Sequence, residues 1–246
     1  LANRLAAIIL AAGKGTRMKS DLPKVLHKVL GESMISRVIK QARGCGCDKI
    51  VVVAGYEKEK VISSLRDAQV SFAIQEKQLG TAHAVQQCEE PLNSFDGDIL
   101  ILSGDVPLLT GKTLKKLVNR HTENHADATL LTAIFENPHG YGRILRNDDD
   151  TLFDIVEEKD ADNSVKSIKE INSGIYVFKK DLLFSYLKLV DNKNSQGEYY
   201  LPDVLPMMVR DKHKIFLQIA DQAEEIQGVN TVEQLKLAED KLMRLQ

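Results

Sequence analysis

Short apolar runs separated by helix-period segments constrain this chain most. Residues 5–10 (Leu-Ala-Ala-Ile-Ile-Leu) and 99–102 (Ile-Leu-Ile-Leu) have strand length and no polar face. Such runs suit strands buried on both faces, the condition found in parallel sheets. Residues 49–54, closed by Gly55, and 71–74 supply further strands. Between these, residues 34–42 place Ile35, Val38, Ile39 and Ala42 on one helical face, and residues 57–66, 81–88 and 113–123 also carry helical patterns. The alternating order predicts an α/β fold with a mostly parallel sheet covered on both faces.

The second half changes character. Residues 128–135 alternate as a strand, and residues 142–145 and 152–156 flank Asn147-Asp148-Asp149-Asp150, which predicts a hairpin with a solvated tip. A strand over 171–178 and a helix over 180–189 follow. Residues 198–209 are helix-like but interrupted by Pro202 and Pro206, and a strand over 215–220 precedes an amphipathic helix over 231–245. The sheet is therefore mixed, with hairpin inserts in its second half.

The first apolar run leads into Leu10-Ala11-Ala12-Gly13-Lys14-Gly15-Thr16-Arg17-Met18, with Pro23-Lys24 beyond. Glycines let backbone N–H groups approach an anion, and Arg17 and Lys24 neutralise it. The spacing excludes two common phosphate binders. A dinucleotide fingerprint needs a third glycine where Met18 stands, and a P-loop needs four residues between its glycines and then Gly-Lys-Ser/Thr. A nucleoside triphosphate is the first expectation for the ligand, the alternative being a βα turn with incidental basic residues.

Composition removes other classes. A length of 246 residues accommodates one α/β domain, and a net charge of −2 exerts no general pull on nucleic acid or membranes. Cys45, Cys47 and Cys88 lack zinc-site spacing and cannot all pair within the chain. No run has membrane-spanning length and no signal-peptide pattern opens the chain, so a cytoplasmic setting is expected. The six histidines form no evident catalytic set.

Other polar clusters fall at strand ends. Ser103-Gly104-Asp105 follows the 99–102 run, where α/β sheets bind ligands, and a carboxylate there can hold Mg²⁺. Gln75, Gln78, Gly80 and Thr81 form a second group. A glutamine amide can read a pyrimidine edge, and Gly80 would admit a flat ring, although Thr81 could equally be an ordinary helix cap. Gly140-Tyr141-Gly142-Arg143, Glu157-Glu158-Lys159 and Glu170-Ile171-Asn172-Ser173-Gly174 offer the carboxylates and amides that bind sugar hydroxyls. Asn230, in Gly228-Val229-Asn230-Thr231, suits either an N-cap or a metal ligand.

Taken in order, these pieces resemble the sugar-1-phosphate nucleotidylyltransferases. They are most similar to the uridylyltransferase domain of bacterial bifunctional N-acetylglucosamine-1-phosphate uridylyltransferase/glucosamine-1-phosphate acetyltransferases. Lys24-Val25-Leu26-His27, Gln78-Leu79-Gly80-Thr81-Ala82-His83-Ala84, Gly104-Asp105-Val106-Pro107-Leu108 and Gln196-Gly197-Glu198-Tyr199-Tyr200 add to the resemblance, which spans nearly the whole chain. It implies a Rossmann-like three-layer nucleotidyltransferase domain over residues 1–229. The nucleotide-binding half would be about 1–110 and the sugar-binding half about 111–229, with a C-terminal helix over 230–246.

The resemblance also implies roles. Leu10, Ala11, Ala12 and Gly13, with Gln75, Gln78, Gly80 and Thr81, would hold uridine, with Ser103 and Gly104 alongside. Arg17, Lys24 and Asp105 would be catalytic, Asp105 and Asn230 would bind Mg²⁺, and Gly142, Glu157 and Asn172 would hold N-acetylglucosamine 1-phosphate. The family pattern has Thr where Ser173 stands and Asn where Thr231 stands, so Thr231 is expected to cap the last helix. No stretch shows the hexapeptide period of a left-handed β-helix, so no acetyltransferase domain is expected within these residues. UTP and N-acetylglucosamine 1-phosphate are the expected partners, with no nucleic acid and no membrane. The alternatives are transfer from CTP or dTTP, and a non-catalytic UDP-sugar-binding regulator.

Overall fold

The computed structural model describes residues 4–18 and 20–244. β1 (Leu5–Ala11) leads through the basic loop to a small antiparallel ribbon, β2 (Lys28–Val29) and β3 (Glu32–Ser33), and then α1 (Met34–Gly44). β4 (Lys49–Ala54), α2 (Lys58–Ser64), β5 (Ser71–Ile74), α3 (Thr81–Gln86), β6 (Asp98–Ser103) and α4 (Gly111–Glu123) continue the alternation. The second half contributes β7 (Ala128–Ile134), β8 (Arg143–Arg146), β9 (Leu152–Val156), α5 (Asn163–Lys166) and β10 (Glu170–Lys179). It closes with α6 (Lys180–Leu187), α7 (Val204–Arg210), β11 (Ile215–Ile219) and α8 (Val232–Arg244).

The main sheet has the order β11-β7-β10-β6-β1-β4-β5, with β8 and β9 paired off β10. β1 lies parallel to both β4 and β6, β4 to β5, and β7 to β11, while β10 runs against β6 and β7. The sheet is thus mostly parallel, and β8–β9 is the hairpin expected from sequence.

Alternate residues of the strands point to opposite faces. Ile8, Val51, Val53, Ile99 and Ile101 pack with Val85 of α3, Leu187 of α6 and Leu205 of α7. Ile9, Val52, Leu100 and Leu102 pack with Val38 of α1, Val61 of α2 and Leu117 of α4. The unbroken apolar runs are explained by these two helical layers, each burying one strand face. Among the described residues no helix is long and apolar enough to cross a membrane.

The departures from the expected boundaries have local causes. α4 starts two residues before Thr113, because Thr110 Oγ1 accepts the Thr113 N–H at 3.2 Å and caps the helix. α2 starts at Lys58, since Glu57 has φ +50° and stands outside it. Pro202 falls in a 3₁₀ turn (Leu201–Asp203), and Pro206 lies in the first turn of α7, where no N–H is needed. The β2–β3 ribbon and α5 were not expected from sequence. Leu245 lies outside the described residues. Ile101 is fully buried on the central β6; Ile101→Ala should cost about 2–5 kcal/mol in denaturant unfolding, and a loss below about 1 kcal/mol would contradict this packing.

Candidate active site

From β1 the sheet extends to β4 on one side and β6 on the other. The carboxyl ends of β1 and β6 therefore flank a crevice, the usual ligand position in an open α/β sheet. The Gly104 N–H donates to the Leu10 carbonyl at 2.9 Å and ties the two ends together. Beyond Ala11 the chain turns outward. Gly15 has φ +59°, and a Cβ there would lie 2.5 Å from Lys24 Cβ. The second glycine of the loop is thus what lets it pack against Lys24. Met18 is buried and anchors the loop, leaving Arg17 exposed.

Four polar side chains from distant parts of the chain meet at this crevice. Lys24 Nζ pairs with the Asp105 carboxylate and donates to Asn230 Oδ1 at 2.9 Å. Arg17 donates to the same Asn230 oxygen at 3.0 Å. The Val229 N–H donates to the Asp105 carbonyl at 2.9 Å, which holds the 228–230 segment against the end of β6. Asn230 does not cap α8. Thr231 Oγ1 accepts the Gln234 N–H, and Gln234 Oε1 accepts the N–H groups of Asn230 and Thr231. The Asn230 side chain is therefore free to face Lys24 and Arg17.

A cavity of about 300 Å³ adjoins this cluster. Leu10, Ala11, Ala12, Gly13, Lys24, Asp105, Gln75, Gln78, Gly80, Thr81 and Ser103 all line it, so most of the first half's candidates converge. Gln75 is buried, and its Nε2 donates to the Gly80 carbonyl at 3.0 Å. Gln78 Nε2 donates to the Gln75 carbonyl at 3.0 Å. Gly55 is required beneath them, since a Cβ would meet Ala12 Cβ, Gln75 O and Gln78 Nε2 at 2.8–2.9 Å. Gly80 has a second constraint. A Cβ there would lie 2.4 Å from the Tyr199 carbonyl oxygen, so close protein backbone also requires a glycine at this position. Thr81 likewise does not cap α3; its Oγ1 accepts the Leu201 N–H at 2.9 Å.

A second cavity, of about 270 Å³, opens beside the first and shares Leu10, Thr81, Ser103 and Glu198 with it. Gly142, Glu157 and Asn172 line it. The register of β10 against β7 shifts between Asn172 and Tyr176, a bulge at Gly174 (φ +75°). Within it, Asn172 Oδ1 accepts the Gly174 N–H at 3.0 Å and the Tyr176 hydroxyl at 2.9 Å. A Cβ on Gly142 would lie 2.8 Å from Glu157 Oε1, so this glycine makes room for the carboxylate. Next to it, buried Arg143 pairs with Glu158 at 2.7 Å and also donates to the carbonyl of Tyr141, which lines the cavity.

The acidic side of this cavity is electrostatically loaded. Burial raises the Glu157 pKa, and the Asp203 charge adds to the effect. Asp203 itself is pushed up to about 6 by burial and by Asp154, Asp191 and Asp160. Glu198, Tyr200, Gln196 and Tyr141 also line the pocket and were not assigned roles from sequence. The motif Gln196-Gly197-Glu198-Tyr199-Tyr200 was the available signal for three of them.

Residues 6–223 match the family model described as nucleotidyl transferase, and the chain belongs to that family. Within it the chain groups with the GlmU proteins. Bifunctional protein GlmU from Desulfotalea psychrophila is 44% identical over 98% of this chain and 71% of that protein. The protein of the same name from Staphylococcus carnosus is 46% identical over 96% of this chain. The chain spans about half, 52%, of the staphylococcal protein's length. The fold is shared with more distant solved structures. A UDP-glucose pyrophosphorylase complexed with UDP-glucose superposes with TM-score 0.76 at 17% identity, covering 99% of this chain and all of that one. A putative glucose-1-phosphate thymidylyltransferase from Bacillus anthracis gives 0.77 at 21% identity, covering 96% and 94%.

The raised Asp203 pKa has a stability consequence. A carboxyl favoured in its neutral form by folding carries no penalty below about pH 4, where it is protonated folded and unfolded alike. The penalty grows as pH rises toward about 6 and is complete above it. Asp203→Asn should therefore stabilise the protein at pH 7.5 by about 1–2 kcal/mol after allowance for solvent screening, and by almost nothing near pH 4. Thermal unfolding across that range checks it; a pH-independent difference would contradict the assignment.

Proposed function

We propose that this chain transfers the uridylyl group of UTP to N-acetylglucosamine 1-phosphate, giving UDP-N-acetylglucosamine and pyrophosphate. The observation that carries this reading is the pair of adjoining cavities with the Arg17–Lys24–Asp105–Asn230 cluster at one end. One cavity offers amides and loop backbone for a nucleotide, and the other offers carboxylates and amides for a sugar. Their shared wall is where a sugar phosphate and an α-phosphate would meet. The proposed division of the chain is a nucleotide-binding half over about 1–110 and a sugar-binding half over about 111–229, with Leu10, Thr81, Ser103 and Glu198 lining both cavities. The relatives called GlmU support this reading over the other nucleotidyltransferase chemistries.

In this scheme a phosphate oxygen of the sugar phosphate attacks the α-phosphorus of UTP in line with the departing pyrophosphate. The nucleophile is already an anion near neutral pH, so no general base is required. The barrier is repulsion between two polyanions together with correct placement. Arg17 and Lys24 neutralise the triphosphate, and the loop N–H groups after Ala11 orient it. Gln75 and Gln78 bind the uracil edge, with Gly80, Thr81, Ser103 and Gly104 forming the wall around the nucleoside. Gly142 gives Glu157 its place, and Glu157 and Asn172 hold the sugar.

Asp105 and Asn230 also fit Mg²⁺. They present a carboxylate and an amide oxygen, both within reach of the single Lys24 ammonium group, and Mg²⁺ commonly takes one or two protein oxygens with phosphates and waters supplying the rest. When bound, the ion supplies charge neutralisation on the phosphates.

Pyrophosphate release measured for UTP, CTP and dTTP against a panel of sugar 1-phosphates tests the assignment. UTP with N-acetylglucosamine 1-phosphate should give the highest kcat/KM, and preference for CTP would overturn it. Asp105→Ala should lower kcat about 100- to 1000-fold with folding intact. Near-normal turnover in that variant would remove Asp105 from the mechanism.

A further inference from the structure

Against Gln75, which lines the nucleotide cavity, stands a histidine that the mechanism above does not use. His83, on α3, places its Nδ1 3.0 Å from Gln75 Nε2. The same amide nitrogen donates to the Gly80 carbonyl at 3.0 Å. A carbonyl oxygen only accepts, so the Gln75 atom facing Gly80 must be the nitrogen, and the amide cannot flip without losing this bond. The second amide hydrogen is directed at His83. That contact is a hydrogen bond only when Nδ1 carries a lone pair, which places the ring proton on Nε2. With Nδ1 protonated, two donors would face each other at 3.0 Å.

On the other side of the ring, Gln87 Nε2 donates to the His83 carbonyl at 2.9 Å and lies 3.4 Å from His83 Nε2; the shorter contact, 3.0 Å at Nδ1, takes the ring's one lone pair. Burial lowers the His83 pKa, favouring the neutral ring. The Gln75 N–H donates to the Ala54 carbonyl at 2.8 Å, and its own carbonyl accepts from Gln78 Nε2. Gln75 has only 3% of its surface exposed, so its backbone and amide nitrogen are held from several sides. With both amide hydrogens used inside the protein, Oε1 is the group left for the adjoining cavity. An acceptor there complements the N3–H of uracil or thymine. It opposes the lone pair at N3 of cytosine.

We propose that His83 is a positioning residue whose Nδ1 lone pair locks the Gln75 amide with Oε1 toward the nucleobase, giving the site its preference for pyrimidines with an N3–H over cytosine. This rests on the uridylyl reading of the nucleotide cavity. A histidine that merely fills space would leave base discrimination unchanged.

The test compares wild-type protein, His83→Leu and His83→Asn by kcat and KM for UTP, dTTP and CTP, with thermal unfolding to confirm folding. Asparagine can offer Oδ1 to the Gln75 amide, whereas leucine offers no acceptor. His83→Leu should raise KM for UTP with little change in kcat, and lower the UTP-to-CTP ratio of kcat/KM about tenfold, roughly the value of one hydrogen bond. His83→Asn should recover most of that ratio. An unchanged ratio in folded His83→Leu, or equal losses in both variants, overturns the proposal. Nitrogen NMR of the wild-type imidazole gives a reading that does not depend on either variant folding: the Nε2–H tautomer is expected, and Nδ1–H overturns the proposal. Wild-type preference for dTTP would end the uridylyl reading while leaving the His83 assignment standing. Preference for UTP with an unchanged variant ratio would end the His83 assignment alone.

Discussion

Everything at the site depends on β1 being hydrogen-bonded in parallel on both sides. Its pairing with β4 and β6 buries an unbroken apolar strand between two helical layers. Backbone pairing at both edges fixes the register of the strand from two directions. The consequence is positional. Leu10 and Ser103 are the last pair of β1 and β6, so the basic loop and Asp105 emerge into the same crevice. The Gly104–Leu10 hydrogen bond extends that pairing one step past the sheet. A weak loop motif becomes a phosphate-binding candidate because a rigid strand delivers it to a carboxylate.

The remaining pieces are brought to this point by contacts that span the chain. Asn230 lies 213 residues beyond Arg17, yet one of its oxygens accepts from both Arg17 and Lys24. The helix cap makes this possible, since Thr231 and Gln234 satisfy the start of α8 and leave the Asn230 side chain available. The 196–201 segment performs a similar service between the cavities. Its Tyr199 carbonyl accepts the Ala82 N–H, its Tyr199 N–H donates to the Leu79 carbonyl, and its Leu201 N–H donates to Thr81. Gly80 is needed because the Tyr199 backbone approaches so closely.

Much of this was legible in the sequence, and the exceptions have clear physical origins. The strands at 49–54 and 71–74 were placed exactly, because short apolar runs bounded by turn residues have few other uses in a chain of this kind. Helix ends were less legible where a cap lay outside the apolar pattern, as Thr110 does before α4. The ribbon Lys28–Val29 with Glu32–Ser33 is too short to carry a period. The cavity residues were found wherever they ended a strand. Glu198 and Tyr200 escaped because they sit in an irregular segment whose position is set by its grip on residues 79–82. The meaning of Gly80 was likewise hidden, since sequence shows that a position lacks a side chain and not which neighbour occupies the space.

Charge within the site is unevenly spread: Lys24 is paired with Asp105, and the carboxylate of Glu157, with no ion-pair partner among the described residues, lies in the second cavity. Arg17 and Lys24 stand beside Asp105 and Asn230 at the end of the first cavity, whereas Glu157, with the Asp203 charge near it, lines the second, and Glu198 lines both. Under the proposed reading, the cations would take the phosphate of a phosphorylated sugar and the acceptors its hydroxyls. The elevated Asp203 and Glu157 pKa values are the energetic cost of concentrating those acceptors in a partly buried pocket. Strain of this kind is expected where binding sets the local chemistry, because a pocket optimised for stability alone would not gather like charges. The bulge that turns Asn172 into the same pocket breaks an otherwise regular ladder, and it belongs to the same trade. The regular half of the sheet supplies rigidity, and the irregular half uses it to hold polar groups that would otherwise move apart.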